Sequence, residues 1–303
     1  MKVIKSKLSD FINQKNPIEI KKYVARIFSY NYSRDDFYEI ERCYNKTKQL
    51  FDGNFQGYKA CNTKYHDFFH TLDTFLTTAV LIDGYNIAEK ILSVSLVKNL
   101  LKAALLHDVG YIQESHDNSG TGAKYTQTHV LRSILFLSKN FNLFGINHKN
   151  VVSLSNLIEC TELKTNLDNV EFSSEDEKTA GKILGTADIL GQMSNREYLE
   201  RLLFLYYEFK EAGIPGYNIE FDIIKNTLFF YEEIKKKLIK FYDSVYTYAL
   251  YHFKERYKIN ENLFIKAIDN NINYVKEIIK EDSKNYRKKL RRGNIVEREK
   301  ALH

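Results

Sequence analysis

The chain has 303 residues, with 45 Lys+Arg, 39 Asp+Glu, two Pro, no Trp and 44% hydrophobic residues. That is enough apolar material for a sizeable core, in one large domain or two small ones, and too much for a wholly disordered polymer. No apolar run approaches the roughly 18 residues of a membrane helix, and the opening Met1–Lys7 lacks the apolar core of a secretion signal, so a soluble, cytoplasmic protein is expected.

The net charge of +6 comes entirely from residues 284–303, which hold eight Lys/Arg against two Glu, while the rest of the chain is balanced. Only this tail points toward nucleic acid. The plainer reading is a solvated helix end whose cations suit its dipole.

With so few prolines, long helices meet few breakers. Val97, Leu100, Ala103 and Ala104 share one face of a predicted helix ending at His107, and Gly110 is expected to close it in the left-handed conformation. Gln113–Thr128, polar and glycine-containing, reads as a loop. After His129, the residues Leu131, Ile134, Leu137 and Phe141 recur at helical spacing. Further helices are predicted at 148–161, 175–190, 195–212, 220–257 and 261–289, the second opened by a capping box of Ser174 and Glu177. Loops fall at Asn166–Ser173 and around Pro215. No alternating strand bounded by turn residues is found, so the fold is expected to be all-α. Cys43, Cys61 and Cys160 lack the paired spacing of a zinc or redox motif and argue for a reducing compartment.

Five of the eight histidines fall at His66, His70, His107, His116 and His129. His66 and His70 are four apart, a spacing that on a helix puts both imidazoles on one face. His-Asp occurs three times, and context separates the copies. His107-Asp108 ends an apolar helix, where burying both side chains is costly unless they pair or bind a cation; His116-Asp117 sits among Ser115, Asn118 and Ser119 and reads as solvated loop. Asp188 lies inside the apolar, small-residue stretch Ile183–Gly191, where a lone carboxylate would be neutral or need a partner. Two histidines and two aspartates supply N and O ligands for a divalent metal, with Mn²⁺, Fe²⁺, Zn²⁺ and Mg²⁺ all compatible.

His70, then Leu105-Leu106-His107-Asp108-Val109-Gly110, then Ala187-Asp188 resembles the H…HD…D signature of the HD superfamily of metal-dependent phosphohydrolases. Tyr65–Asp73 is similar to the helix of cyclic-nucleotide phosphodiesterases that carries an acid histidine and, four residues on, a metal ligand. The resemblance covers roughly residues 60 to 195. It implies an HD-like helical bundle over 61–195, with an N-terminal helical extension (1–60) and a C-terminal helical region (196–303) packed on it. It also implies His70, His107, Asp108 and Asp188 as ligands of a first metal, Asp108 serving catalysis as well, and His66 as general acid. One departure stands out: Tyr111 occupies the position where the phosphodiesterases carry a histidine near a second metal. His129, which resembles an additional histidine of many HD enzymes, or His116 would have to help form a second site.

A metal lowers the pKa of water and neutralises phosphoryl charge, and an imidazole titrates near neutrality, as a proton donor to the leaving group should. Lys124, Arg132 and Arg196 are candidate phosphate contacts. Gly120–Lys124 is a weak phosphate-loop candidate and reads better as an ordinary loop. Most of the 22 Tyr and 20 Phe follow helical periodicity and read as core. The expected function is metal-dependent hydrolysis of a phosphoester, a nucleotide or related small molecule. The alternatives are a phosphomonoesterase or triphosphohydrolase on the same scaffold, and a non-catalytic nucleotide-sensing or nucleic-acid-associated module.

Overall fold

A computed structural model describes residues 7–280 and 285–296. Among these residues there are eleven α-helices and no strand, apart from one isolated bridge between Tyr58 and Glu114. The all-α expectation holds. No helix is long and apolar enough to cross a membrane.

The helices are α1 (Pro17–Phe28), α2 (Phe37–Phe51), α3 (Phe68–Ala88), α4 (Val94–Leu106), α5 (His129–Asn140), α6 (Val151–Glu159), α7 (Glu175–Ser194), α8 (Tyr198–Glu211), α9 (Glu220–Lys240), α10 (Tyr248–Tyr257) and α11 (Leu263–Ile279). Two of them, α3 and α7, form the centre. Every residue of α3 from His70 to Asn86 is buried, as expected of a helix apolar on all sides, and it is flanked by α1, α4, α7 and α10. Three of its four threonines are tolerated there because their hydroxyls bond back one turn, Thr74 to the His70 carbonyl at 3.3 Å, Thr77 to that of Asp73 at 2.7 Å and Thr78 to that of Thr74 at 2.8 Å. Gly191 of α7 lies against the α3 backbone: a Cβ there would stand 2.9 Å from the Asp73 carbonyl oxygen. Lack of a side chain at that point lets α3 and α7 approach. A single apolar cluster runs from Leu8 to Val296.

The α7 start follows the predicted cap, with the Ser174 hydroxyl accepting from the Glu177 amide. Three other expectations are corrected. The predicted 220–257 helix is two helices, α9 and α10, broken where Asp243 and Ser244 take positive φ of 48° and 57°. The break lets Tyr242 bury completely, its hydroxyl donating to the Cys160 carbonyl at 2.8 Å. The predicted 261–289 helix ends at Ile279, and Tyr286–Lys289 forms a separate 3₁₀ turn. Gly110 is not left-handed. It is needed for contact instead, because a Cβ there would sit 2.0 Å from the His129 carbonyl oxygen, and its absence seats α5 against the His107–Tyr111 turn.

Of the basic tail, Lys284, Arg298 and Lys300 lie outside the described residues. Arg287 pairs with Glu220 of α9, and Arg292 donates to the Arg196 carbonyl at 2.6 Å and to Asn271 Oδ1 at 3.3 Å. These two cations hold the segment 286–292 against α8, α9 and α11 and are therefore committed within the fold.

Candidate metal centre

Three central helices and one turn converge their polar side chains on one point. His70 lies in the first turn of α3, His107 caps α4, Asp108 follows it, and Asp188 comes from the middle of α7. His70 Nε2 lies 3.1 Å from Asp108 Oδ2 and 3.1 Å from Asp188 Oδ1; His107 Nε2 lies 3.3 Å and 3.5 Å from the same two atoms. The two imidazole Nε2 atoms are 3.4 Å apart.

Tautomer fixes what these atoms can do. His107 Nδ1 faces the Ala104 carbonyl at 2.8 Å, so it must donate, which leaves Nε2 as the ring atom that can bind an ion. Asp108 Oδ2 is buried with no hydrogen-bond partner, a costly state for a carboxylate oxygen without a cation. Donors held roughly 2.0–2.2 Å from one ion stand about 3.0–3.5 Å from each other. The separations here fall in that range, so His70, His107 and Asp108 could hold a divalent metal, with Asp188 Oδ1 beside the two imidazoles.

Without an ion the four groups support one another. Burial works against every charge here, yet the neighbouring carboxylates outweigh it and raise the pKa of His70 to about 9 and that of His107 well above its usual value. The imidazoles in turn outweigh burial and hold both carboxyls below the ordinary range. Among the described residues no lysine or arginine is bonded to the four side chains, so an ion bound there would take the place of the imidazole protons.

His66 is placed differently from the expectation. α3 begins at Phe68, with Asp67 as its cap accepting the His70 amide at 3.0 Å, so His66 precedes the helix and does not share its face with His70. Its position is set by other contacts. Nδ1 meets Glu208 Oε2 of α8 at 2.7 Å, and the ring stacks on Tyr111, with centroids 4.3 Å apart and an angle of 11°. Glu208 Oε1 also accepts the backbone amides of Lys64 and Tyr65 at 2.8 and 2.6 Å. One buried carboxylate thus folds the 64–66 segment and aligns its imidazole. The carboxylate must accept from Nδ1–H, and Nε2 lies 3.5 Å from the Tyr111 hydroxyl. Glu208 carries no sequence motif and lies 142 positions from His66; nothing distinguishes it in sequence from Glu200, the other buried acid of α8.

Tyr111 sits between two imidazoles, stacked on His66 and, at 4.6 Å and 22°, on His129. Burial raises its pKa well above the usual value, so the phenol stays protonated. His129 is brought to the centre, as expected: Nδ1 donates to the Thr126 carbonyl at 2.7 Å and Nε2 lies 3.6 Å from Asp108 Oδ1. His116 is not; it is exposed, near Glu114.

The proposed phosphate contacts point elsewhere. Lys124 Nζ is spent on Asp117 at 2.6 Å and the Ser119 carbonyl at 2.7 Å. Arg132 bonds the Gly110 and Ile112 carbonyls at 2.7 and 3.2 Å and covers the Tyr125 ring. Arg196 is exposed. None of the three lines the cavity of about 420 Å³ into which His66, His70, Asp108, His129 and Asp188 open. All three were legible as cations near the motif, but local loop and backbone partners claim two of them.

A family model described as Npun_R2479-like matches residues 114–250, less than half of the chain. The matched part is similar to that family and contains His129, Asp188 and Glu208, but not His66, His70, His107 or Asp108. Comparison with curated proteins and with solved structures gives no match.

Proposed function

We propose that the protein is a metal-dependent phosphohydrolase that cleaves a phosphoester at the His70, His107, Asp108 and Asp188 cluster, using one divalent ion of the Mn²⁺, Fe²⁺, Zn²⁺ or Mg²⁺ type. The observation that carries this reading is the orphaned Asp108 Oδ2 facing two imidazole Nε2 atoms at 3.1 and 3.3 Å, at the wall of a cavity large enough for a small molecule. An ion bound there supplies activation of water and withdrawal of charge from the phosphoryl oxygens.

The rest belongs to the chain. His70 and Asp108 are almost wholly buried, at 3% and 2% exposed, which keeps bulk water from the cluster, while Asp188 and His66 reach the cavity. Water adds to phosphorus, the P–O bond to the alcohol breaks, and the electron pair leaves on the alkoxide oxygen. His66 Nε2 hands that oxygen a proton, and the Glu208 carboxylate on Nδ1 keeps the ring aimed. Stacking of Tyr111 between His66 and His129 takes up the place of a further ligand, which favours a single ion.

The test is hydrolysis of p-nitrophenyl phosphate and bis(p-nitrophenyl) phosphate by metal-loaded protein, beside His66→Ala. The variant should lose roughly 10²- to 10⁴-fold in kcat and keep its metal. Loss of metal would make His66 a ligand. A metal-loaded wild type inert toward both esters would overturn the hydrolase reading.

A further inference from the structure

The cavity lining away from the metal cluster has a different chemistry from the cluster itself. α8 contributes Leu202, Leu205 and Phe209, the following loop Ile214, and α9 Ile223 and Phe230. Most polar side chains among them are already satisfied. Gln192 accepts from Tyr65 at 2.7 Å and donates to the Asp188 carbonyl at 3.2 Å. The hydroxyls of Thr126, Thr161 and Thr227 donate to carbonyls of their own turns at 2.7, 2.8 and 2.8 Å. Gln127, Tyr217 and Asn226 are the remaining neutral polar side chains on this part of the wall, so a nucleobase held there would have little beyond them to read its edge.

Charge points the same way. Lys164, itself exposed, is the only Lys or Arg on the cavity wall, and Glu162 stands two residues before it on the same wall. A di- or triphosphate would bring three or four negative charges to a wall that already carries Asp108 and Asp188, with one screened cation and one ion to meet them.

We infer that the substrate is a single-phosphate ester of an apolar alcohol, with an alkyl or similarly aliphatic body packed against α8 and α9 and the phosphate at the metal cluster. This narrows the substrate class of the hydrolase reading and rests on that reading. Such a ligand matches both halves of the cavity: its phosphate needs one ion, and its chain needs only dry contact.

The experiment compares kcat/KM of metal-loaded protein for butyl phosphate, octyl phosphate, AMP and 3′,5′-cyclic AMP, with p-nitrophenyl phosphate as the general probe and all esters kept below micelle formation. Burial of a methylene is worth about fourfold, so burying even two of the four extra methylenes should put the octyl ester more than about tenfold above the butyl ester, and it should exceed both nucleotides. Leu205→Asp should bring the octyl-to-butyl ratio close to one, and the milder Leu205→Ala should lower it in a variant that keeps an apolar wall. Hydrolysis of p-nitrophenyl phosphate with a ratio near one in the wild type, or with a nucleotide preferred, would overturn the inference and leave the hydrolase reading standing. If no ester is cleaved, the hydrolase reading fails, and calorimetric binding of octylphosphonate against butylphosphonate decides about the cavity. Tenfold tighter binding of the longer chain would support the apolar wall as the ligand's seat; equal binding would overturn it.

Discussion

The molecule buries two histidine–aspartate clusters, and they are built to opposite ends. Around Asp83, in α3, Arg256 supplies two hydrogen bonds at 3.0 and 2.8 Å, His252 one at 2.7 Å and Asn31 one at 3.3 Å. Four donors fill both carboxylate oxygens, and a permanent cation balances the charge. Around Asp108, two carboxylates face two imidazoles, no arginine or lysine among the described residues joins them, and one carboxylate oxygen has no hydrogen-bond partner. Each cluster leaves one buried polar atom unpartnered, a carboxylate oxygen here and His252 Nε2 there. What separates the two is the permanent cation: Asp83 has Arg256, while Asp108 meets only imidazoles, which can give up their protons to an ion.

Asp108→Ala should break the second cluster at the greatest cost to binding: a metal affinity at least about 100-fold weaker, since a direct ligand should matter no less than an outer-shell partner, with the fold retained by circular dichroism. Asp83→Ala should do the converse. It strands His252 and Arg256 and should destabilise by about 3 kcal/mol, the low end for a broken buried pair because Arg256 is 22% exposed and can turn to water, while metal content in the folded protein stays unchanged. If denaturant midpoints and metal content moved together in both variants, the distinction between the clusters would collapse.

Glu208→Gln touches neither cluster directly. It should slow hydrolysis about 10- to 100-fold, less than loss of His66 itself, with metal retained, because the amide no longer holds the imidazole in one orientation. An unchanged rate would make Glu208 merely a strut for residues 64–66.

The smallest effect concerns His252. Burial lowers its pKa despite Asp83 beside it, so in the folded protein it holds its proton less tightly than in the unfolded chain, where the value is about 6.5. The folded state therefore has its full stability above that unfolded value and loses some as pH falls below it toward the folded one. His252→Gln should thus show a smaller loss of Tm between pH 7 and pH 5 than the wild type, a difference of about 1 kcal/mol or less. An equal loss in both proteins would assign the acid sensitivity elsewhere.

Sequence periodicity was sufficient for helices because burial in this fold follows 3.6-residue spacing, and Ser174 marked its helix start through a local hydrogen bond. It could not mark the break at 241–247, since apolar spacing continues across it and the break serves Tyr242, whose partner is Cys160, 82 positions away. The four candidate ligand positions were legible because they share an ordered motif and each sits where an isolated charge would be costly. His66 was legible as a residue but not in its placement, because Asp67 takes the helix cap and pushes it off the helix. Glu208 was not legible at all. Its partners are His66, Lys64 and Tyr65, which only the docking of α8 brings near.

The central claim is that the Asp108 cluster is a ligand set and the Asp83 cluster is not. Elemental analysis of the purified protein, stripped and then reloaded separately with Mn²⁺, Fe²⁺ and Zn²⁺ and dialysed, tests it without any choice of substrate. The account predicts close to one ion per chain in the wild type and in Asp83→Ala, and none in Asp108→Ala. A wild type that retains no ion after reloading with any of the three would contradict it.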